Sequence, residues 1–221
     1  MSTTTPKAPR PVKRTRARPD GAGESDRRTE IVRLGGEVIA SQGFSNATVR
    51  DIADRAGILS GSLYYHFDSK EDIVDDILSA FFDRLLGGYR DVAEAAANPV
   101  QALREMIRLA FGTIETDAVA MKILHNDSAQ LGRVDRFRYL WTSEEEVRRL
   151  WTTSIVEAID AGLLRTDIDV DLMYLFAREG VWGAVRWYQP DGPRPISDVA
   201  DQFVQSFFLG VATPAGKKKV G

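Results

Sequence analysis

Small hydroxyl, aromatic and imidazole side chains are concentrated in residues 55–70, RAGILSGSLYYHFDSK. Side chains of these types hydrogen-bond to phosphates and to the edges of bases, so the stretch has the composition of a nucleic-acid contact. A helix this short is only marginally stable in water on its own. Other elements must therefore hold it in place, and its polar face must meet a partner.

Two apolar residues explain how these polar side chains are presented. Leu63 and Phe67 are four residues apart, which places them on one helix face where they can pack inward. A helix, a glycine turn and a short second helix form the helix-turn-helix arrangement, whose second helix enters the major groove of DNA. The candidate DNA-binding residues on this helix are Ser60, Gly61, Ser62, Tyr64, Tyr65 and His66. For the two tyrosines, a partly buried wedge between helices is the alternative.

Lys70 adds a separate argument because it is a cation at the start of the next predicted helix. A positive charge in the first turn opposes the helix macrodipole and is unfavourable there. A phosphate at that helix end would be bound by the free amides and by the lysine together. We therefore add Lys70 to the predicted DNA contacts.

A second candidate site centres on Arg178, which lies within the nearly all-apolar segment DLMYLFAREGVWGAVRWY. An unpaired buried guanidinium is costly, so Arg178 needs an anionic partner, either an internal carboxylate or a group of a bound ligand. Trp182 lies one turn later on the same side and can pack against an apolar ligand body. The other candidate ligand-binding residues are Met121, Leu124, His125 and Arg138.

Catalytic motifs are not found in the sequence, which has no GxSxG, P-loop, GxGxxG or HExxH pattern. There is no cysteine, which excludes disulfides, thiolate zinc sites and cysteine nucleophiles. An all-α hydrolase using His125 and Asp127 is the enzymatic alternative, but a single histidine on a mixed helix is more often structural. We predict no catalytic residues, no metal and no cofactor.

The elements that position these residues are predicted to be helices, because helical periodicity dominates from Thr29 onward and alternation of period two is hard to find. Thr48 with Asp51, and Ser69 with Asp72, form capping boxes that open the second and fourth helices. The remaining predicted helices span residues 28–42, 60–66, 100–116, 118–131, 136–161, 171–187 and 196–208. The fold class is therefore all-α.

Charge and composition divide the chain. Six basic residues and no acid lie within residues 1–18, and three lysines lie near the end, which leaves 20 basic against 32 acidic residues elsewhere. The predicted domains are a disordered basic tail (1–26), a helix-turn-helix domain (27–72, with the motif at about 49–68), a helical ligand-binding and dimerisation domain (73–212) and a basic tail (213–221). The first tail either solubilises the protein or adds sequence-independent DNA affinity. No stretch is apolar and long enough to export the chain or span a membrane, so we expect a cytoplasmic protein.

The last two predicted helices offer a dimer surface. Apolar residues recur at helical spacing on the final helix, and the helix before it is rich in aromatic residues. The candidate interface residues are Trp187, Ile196, Val199, Phe203 and Phe207.

Residues 29–78, centred on TVRDIADRAGILSGSLYYHFDSKEDIV, resemble the DNA-binding domain of the TetR family of bacterial repressors. The resemblance rests on the order of a long first helix, TVxxIAxxAG and LYxHFxxKxxL/I. It implies that Thr48 and Arg50 contact the phosphate backbone, and that a homodimer with a four-helix interface reads a palindromic operator. This chain has Leu59 where the family often has a Ser or Thr cap, and Ser60 where it often has a Lys or Arg.

The stretch GILSGSLY, with ANP at 97–99 and VRWYQPDGP at 185–193, resembles the ketosteroid-catabolism repressors within that family. Those repressors respond to CoA thioesters of steroid breakdown intermediates. The resemblance implies a repressor released from double-stranded DNA by a small amphipathic anionic effector, an acyl-CoA or a steroid-derived CoA thioester. The alternative is a ligand-insensitive helical DNA-binding protein, which is favoured if the C-terminal helices enclose no cavity.

Overall fold

The computed structural model describes residues 21–211 and residue 218, and every regular element in that part of the chain is helical. The helices are α1 (Gly21–Gln42), α2 (Val49–Ala56), α3 (Ser60–His66), α4 (Lys70–Ala95), α5 (Pro99–Thr116), α6 (Ala118–Leu131), α7 (Arg138–Asp160), α8 (Val170–Trp187) and α9 (Ile196–Val211), with a 3₁₀ turn at Asp135–Phe137. This confirms the predicted all-α fold, and most helix ends lie within two residues of their predicted positions. Most of the two predicted tails lies outside the described residues. Within the described part, no helix is long and apolar enough to cross a membrane.

The first helix begins earlier than predicted. Residues 21–26 were assigned to the disordered tail, but α1 begins at Gly21 and includes them. Glu24 in the first turn interacts favourably with the helix dipole. The Glu24 carboxylate also accepts a hydrogen bond from the Tyr65 hydroxyl, which ties this turn to α3.

The capping box predicted at the start of α2 is present. The Thr48 amide donates to the Asp51 carboxylate (2.9 Å), and the Asp51 amide donates to the Thr48 hydroxyl (3.2 Å). These hydrogen bonds hold the pKa of Asp51 below its usual value. At its other end α2 closes on Gly57, whose φ of 65° is the left-handed conformation that glycine adopts without strain. The turn into α3 is therefore fixed from both sides.

The N-terminal and C-terminal halves share one hydrophobic core. The helix α4 begins beside the helix-turn-helix and continues into the larger half, where it packs on α5 and α7, while α1 packs on α6. Phe137 in the 3₁₀ turn is buried and meets the ring of Phe44 edge-on, with centroids 6.0 Å apart. Ser45 donates a hydrogen bond to Gln130 at the end of α6. The loop between α1 and α2 is thus the joint between the halves.

The larger half is arranged around α5, which contacts α4, α6, α7, α8 and α9. Its buried side chains recur at three- and four-residue spacing on several faces, as expected of a helix surrounded by others. Asn98 caps α5 by accepting from the Gln101 amide at 3.1 Å, and Pro99 occupies the first turn, where its missing amide costs nothing. These neighbours leave a space beside α5, described below.

Candidate functional site

The short helix α3 is held from beneath, as predicted. Leu63 is fully buried and Phe67 nearly so, and both belong to the hydrophobic core. Gly61 and Ser62 face outward, and the position of a Cβ on Gly61 would lie in open space. Leu59 precedes the helix without any side-chain cap and is 79% exposed. The leading end of α3 therefore presents small polar groups and one apolar side chain to the outside.

The aromatic residues of α3 point away from the core. Tyr64 and Tyr65 are 55% and 76% exposed, so neither is a buried wedge between helices. The hydrogen bond to Glu24 raises the pKa of Tyr65, and its ring meets that of His66 edge-on at 5.3 Å. Tyr64 is thus presented at the surface and His66 is half-buried, whereas the Tyr65 hydroxyl already has a partner in α1.

The two residues that open α2 differ in what they offer. The Thr48 hydroxyl takes part in the capping box with Asp51. The side chain of Arg50 is 85% exposed and lies 3.9 Å from Asp54, a loose pair that leaves the guanidinium able to reach outward. Of this pair, Arg50 has the greater freedom to meet a phosphate.

Lys70, which was predicted to contact DNA, has partners within the protein. Its ammonium group donates to the carbonyl oxygens of Phe44 and Ala47 and lies 4.7 Å from the centre of the Phe44 ring. The unfavourable position at the start of α4 is therefore offset by acceptors within the protein, and no phosphate is needed to explain it. Lys70 fastens the loop between α1 and α2 to α4.

Arg178 is partly exposed and has a partner beside it. Its guanidinium donates to the Glu179 carboxylate at 2.7 Å and lies 5.9 Å from the centre of the Trp182 ring. Arg178 and Trp182 lie on one side of α8, as predicted. The arginine is, however, partly exposed and already has a carboxylate partner. The pair with Glu179 is exposed enough for an incoming anion to compete with it.

An apolar cavity lies between α4, α5, α6, α7 and α8. Its walls include Phe81, Phe82, Tyr89, Met121, Trp151 and Trp182. The centre of a water molecule can move within about 80 Å³ of it, several times the roughly 10–15 Å³ that one water requires. A compact apolar group can therefore enter this space.

A polar cleft adjoins the cavity and shares part of its wall. Leu124, Glu144, Arg178 and Trp182 line both spaces, while the cleft adds a polar set. That set is His125, Ser128, Glu179, Gly183 and Arg186. Within the cleft, the centre of a water molecule can move in about 220 Å³. Together the two spaces offer an apolar interior and a charged mouth, which suits an amphipathic molecule.

Most of the predicted ligand residues meet at this place. Met121 and Leu124 line the cavity and His125 lines the cleft, where its ring lies 6.2 Å from that of Trp182. Arg138 is the exception, because it lines neither space and its side chain, 83% exposed, pairs with Asp135. It lies at the very start of α7, before that helix reaches the cavity.

Several wall residues were not identified from the sequence: Tyr89, Glu144, Trp151, Tyr174 and Arg186. In the sequence, the aromatic residues among them follow helical spacing and cannot be distinguished from ordinary core residues. Arg186 had a usable signal, since it lies eight residues after Arg178 and therefore on the same side of α8.

The residues of the predicted dimer stripe on α9 differ in their exposure. Ile196 is buried within its own subunit, because the inward face of α9 is formed by Ile196, Ala200, Val204 and Phe208. Phe203 packs on α5 and α8, with its ring 5.2 Å from Phe111 and against the bare backbone of Gly180. Val199, Phe203 and Phe207 remain partly exposed beside this face, and Trp187 is exposed.

Together, a helix-turn-helix and a larger helical half with an amphipathic cavity define a DNA-binding transcription regulator. Residues 31–77 match the profile of bacterial regulatory proteins of the tetR family, and residues 96–211 match that of the tetracyclin repressor-like C-terminal domain. The chain belongs to the tetR family. It is a transcriptional repressor of that family and not an enzyme, which confirms the prediction.

The similar proteins include repressors of one kind. The chain is 39% identical over 192 residues to the transcriptional repressor KstR2 of Mycobacterium tuberculosis H37Rv, covering 87% of this chain and 96% of the relative. It is 40% identical over 195 residues to KstR2 of Rhodococcus jostii RHA1, covering 88% and 96%. The predicted resemblance to ketosteroid-catabolism repressors is confirmed.

Two solved structures extend the comparison. The ketosteroid transcriptional regulator KstR2 of Mycobacterium tuberculosis superposes with a TM-score of 0.82 at 38% identity, covering 85% of this chain and 95% of that one. AibR, solved in complex with isovaleryl coenzyme A and operator DNA, superposes with a TM-score of 0.73 at 20% identity, covering 81% and 97%. At that identity, AibR shares the fold.

Proposed function

We propose that this protein is a cytoplasmic homodimer that represses transcription from a palindromic operator and leaves it when an amphipathic anion enters the cavity. The observation that carries the proposal is the shared wall of Arg178 and Trp182, which faces both the apolar cavity and the polar cleft. One molecule can therefore place its apolar part inside and its charge at the mouth. The alternative of a ligand-insensitive DNA binder is disfavoured because a cavity is present.

The relatives support a thioester as the effector. KstR2 is named for ketosteroid regulation, and AibR carries isovaleryl coenzyme A in its complex. An acyl-CoA or a steroid-derived CoA thioester joins a compact apolar body to a large anionic group, which matches the two adjoining spaces. Its anion would replace Glu179 as the partner of Arg178.

The proposed DNA contacts come from the outward residues of α2 and α3. Arg50 is proposed to bind a phosphate. The outward-facing residues of α3 are proposed to enter the major groove. The proposed contacts on α3 are Ser60, Gly61, Ser62, Tyr64 and His66, with Leu59 ahead of them. The hydroxyl groups of Tyr65 and Thr48 each have a partner inside the protein. We therefore propose that these two residues position the neighbouring DNA contacts.

The readout by α3 is proposed to be unusual in its chemistry, because the segment LSGSLYYH has no Arg, Lys, Asp or Glu. A bidentate arginine–guanine contact cannot arise from it. Hydroxyl groups, His66 and the apolar Leu59 side chain must then supply the base contacts, the last against a thymine methyl group.

The proposed dimer surface lies on α8 and on the partly exposed edge of α9. Three exposed apolar residues lie at three- and four-residue spacing near the start of α8, and Trp187 follows three turns later on the same side: Leu172, Leu175, Phe176 and Trp187. An exposed apolar stripe of this kind is typical of a protein–protein interface. A two-fold dimer would place the two α3 helices on successive major-groove faces of one operator.

The test combines a footprint with identification of bound ligand. We expect the purified protein to protect a palindromic segment near its own gene, and mass spectrometry of the extracted protein to find a coenzyme A thioester. Adding that thioester should release the DNA. Release by coenzyme A alone, or protection unaffected by any thioester, would contradict the proposed effector class.

A further inference from the structure

A buried carboxylate lies at the joint between the two halves. Asp127 on α6 is only 5% exposed, and its Oδ2 atom has no hydrogen-bond partner among the described residues. Its Oδ1 atom lies 3.5 Å from the position that a Cβ on Gly43 would occupy. Gly43 directly follows α1, so the carboxylate is packed against the C-terminal end of that helix.

This environment is unfavourable for an anion in two ways. A buried carboxylate oxygen without a donor has lost its hydration and gained no hydrogen bond in its place. The C-terminal end of a helix carries the negative end of the macrodipole, which repels a negative charge. The packing of α6 on α1 is therefore strained at Asp127, and an unsatisfied buried group of this kind is one way in which a folded protein stores strain.

The loop beside this carboxylate carries the DNA-binding helices. Residues 43–48 connect α1 to α2, and the last of them, Thr48, caps α2. The amides of Asn46 and Ala47 both donate to the Gly43 carbonyl, at 3.2 and 3.0 Å. A shift of Gly43 relative to α6 therefore moves the start of α2, and α3 with it.

The helix that carries Asp127 also borders the effector spaces. Met121 and Leu124 line the apolar cavity and His125 lines the cleft, whereas Asp127 faces the end of α1. Only two or three residues of α6 separate Asp127 from Leu124 and His125. An effector that displaces α6 therefore displaces the carboxylate as well.

We propose that Asp127 stores strain at the joint and thereby sets how readily the protein leaves its operator. A palindrome requires a fixed spacing of the two α3 helices, so the closed joint, with α6 packed on α1, favours operator binding. Movement of α6 away from α1 frees the carboxylate to gain donors. This inference rests on the proposed function and adds to it a regulatory residue that contacts neither DNA nor effector.

The first measurement is stability. Asp127→Asn keeps the shape of the side chain, removes its charge and adds an amide that can donate to the carbonyls at the end of α1. We expect its urea midpoint to lie about 0.5 M above that of the wild-type protein, because the variant loses the unfavourable charge. Asp127→Leu, which has no polar atom, should also gain stability. Asp91→Asn is the matched control, since Asp91 is exposed on α4 and its midpoint should not move.

Hydrogen exchange shows whether the gain arises at the joint. The amide of Ala47 reports opening of the α1–α2 loop, because it donates to the Gly43 carbonyl. We expect this amide to exchange about fivefold more slowly in Asp127→Asn than in the wild-type protein. The amide of Tyr188, which donates to the Ala184 carbonyl at the end of α8, should exchange at the wild-type rate.

Operator binding tests the regulatory role. Because the closed joint is less strained, Asp127→Asn should bind the footprinted palindrome about fivefold more tightly than the wild-type protein. By linkage, it should need about fivefold more of a thioester probe, cyclohexanecarbonyl-coenzyme A, for half-release. Asp91→Asn should match the wild-type protein in both titrations.

Two results would overturn the inference. A urea midpoint at or below the wild-type value in both Asp127→Asn and Asp127→Leu would mean that the carboxylate is not strained. A raised midpoint with unchanged exchange at Ala47 and unchanged operator affinity would place the strain elsewhere. Failure of the probe to release the wild-type protein would count against the proposed effector class instead, since the stability, exchange and operator measurements on Asp127 need no effector.

Discussion

The ammonium group of Lys70 lies at the start of α4, where a phosphate could bind, but it makes hydrogen bonds within the protein. Two backbone carbonyls and an aromatic face surround it, so its charge is already compensated within the protein. We expect Lys70→Met to lower the free energy of unfolding by about 1.5–3 kcal/mol, the range for hydrogen bonds from a charged donor. Urea denaturation measures this, and Lys122→Met, an exposed lysine on α6, is the control.

DNA binding distinguishes the two roles of Lys70. If it contacted a phosphate in each subunit, Lys70→Met would flatten the salt dependence of operator binding by about 1.8 in the log–log slope. We expect the slope to stay unchanged, in titrations carried out where the variant is fully folded. A flattened slope with normal stability would restore Lys70 to the DNA interface.

A second prediction at the level of single residues concerns Arg178, whose proposed role in effector binding depends on one ion pair. Arg178→Met keeps most of the bulk and removes the charge that would bind an anionic effector. We expect effector binding to weaken by about 1.5–3 kcal/mol, the range for charge-assisted hydrogen bonds. Operator affinity without effector should hardly change, because the cavity residues lie apart from α3.

Arg138→Met provides a matched control for that result. The sequence placed both arginines in the ligand site, whereas the structure places Arg138 outside it, paired with Asp135. Calorimetry with the copurified effector should therefore show normal affinity for Arg138→Met. Equal losses in the two variants would mean that the effector binds elsewhere.

At the scale of helices, the sequence predicted the order, number and type of the elements well. Capping residues and glycines mark ends locally, as Thr48, Ser69 and Gly57 do. The start of α1 was missed because Glu24 pairs with Tyr65, a contact between residues distant in the sequence. Helical spacing likewise shows that α9 has an apolar face but not which neighbour covers it.

The site was predicted less completely than the helices, for a related reason. A charged residue within an apolar helix, such as Arg178, is visible in the sequence. Trp151 and Tyr89 are indistinguishable there from core residues, because only the packing of four or five helices shows that they border a space. Charge alone does not reveal on which side of its helix a residue such as Arg138 lies, and Arg138 lines neither of the two spaces.

The exposed stripe of α8 leads to a prediction about assembly. Phe176 is 66% exposed in the single subunit, and Phe176→Lys would place a charge within the proposed interface. We expect the dimer to weaken by at least about 2 kcal/mol, roughly thirtyfold in Kd, as is common for a buried aromatic residue at an interface. Sedimentation equilibrium measures this, and cooperative binding to the two operator half-sites should be lost.

Trp141→Lys is the control for assembly, because Trp141 is similarly exposed (71%) but lies on α7. That variant should remain dimeric and should bind the operator normally. A dimer that tolerates Phe176→Lys but not Trp141→Lys would move the interface to α7.

At the scale of the whole molecule, one continuous core links the DNA-binding half to the effector half. Buried residues from α1 to α9 belong to a single hydrophobic cluster. The loop between α1 and α2 is held by Lys70 on one side and by Phe137 on the other. A change in the packing of α6 or α7 around an effector therefore has a direct route to the helices that would hold DNA.

A shared core predicts cooperative unfolding of the two halves. All four tryptophans lie in α7 and α8, so their fluorescence reports the effector half, while far-ultraviolet circular dichroism reports every helix. We expect the two signals to give coincident urea transitions at a fixed protein concentration. Phe137→Ala removes the buried ring at the joint and should cost about 3–5 kcal/mol. Because that ring connects the halves, the dichroism transition of the variant should begin before the fluorescence transition. Separate transitions in the wild-type protein would instead show that the halves fold independently.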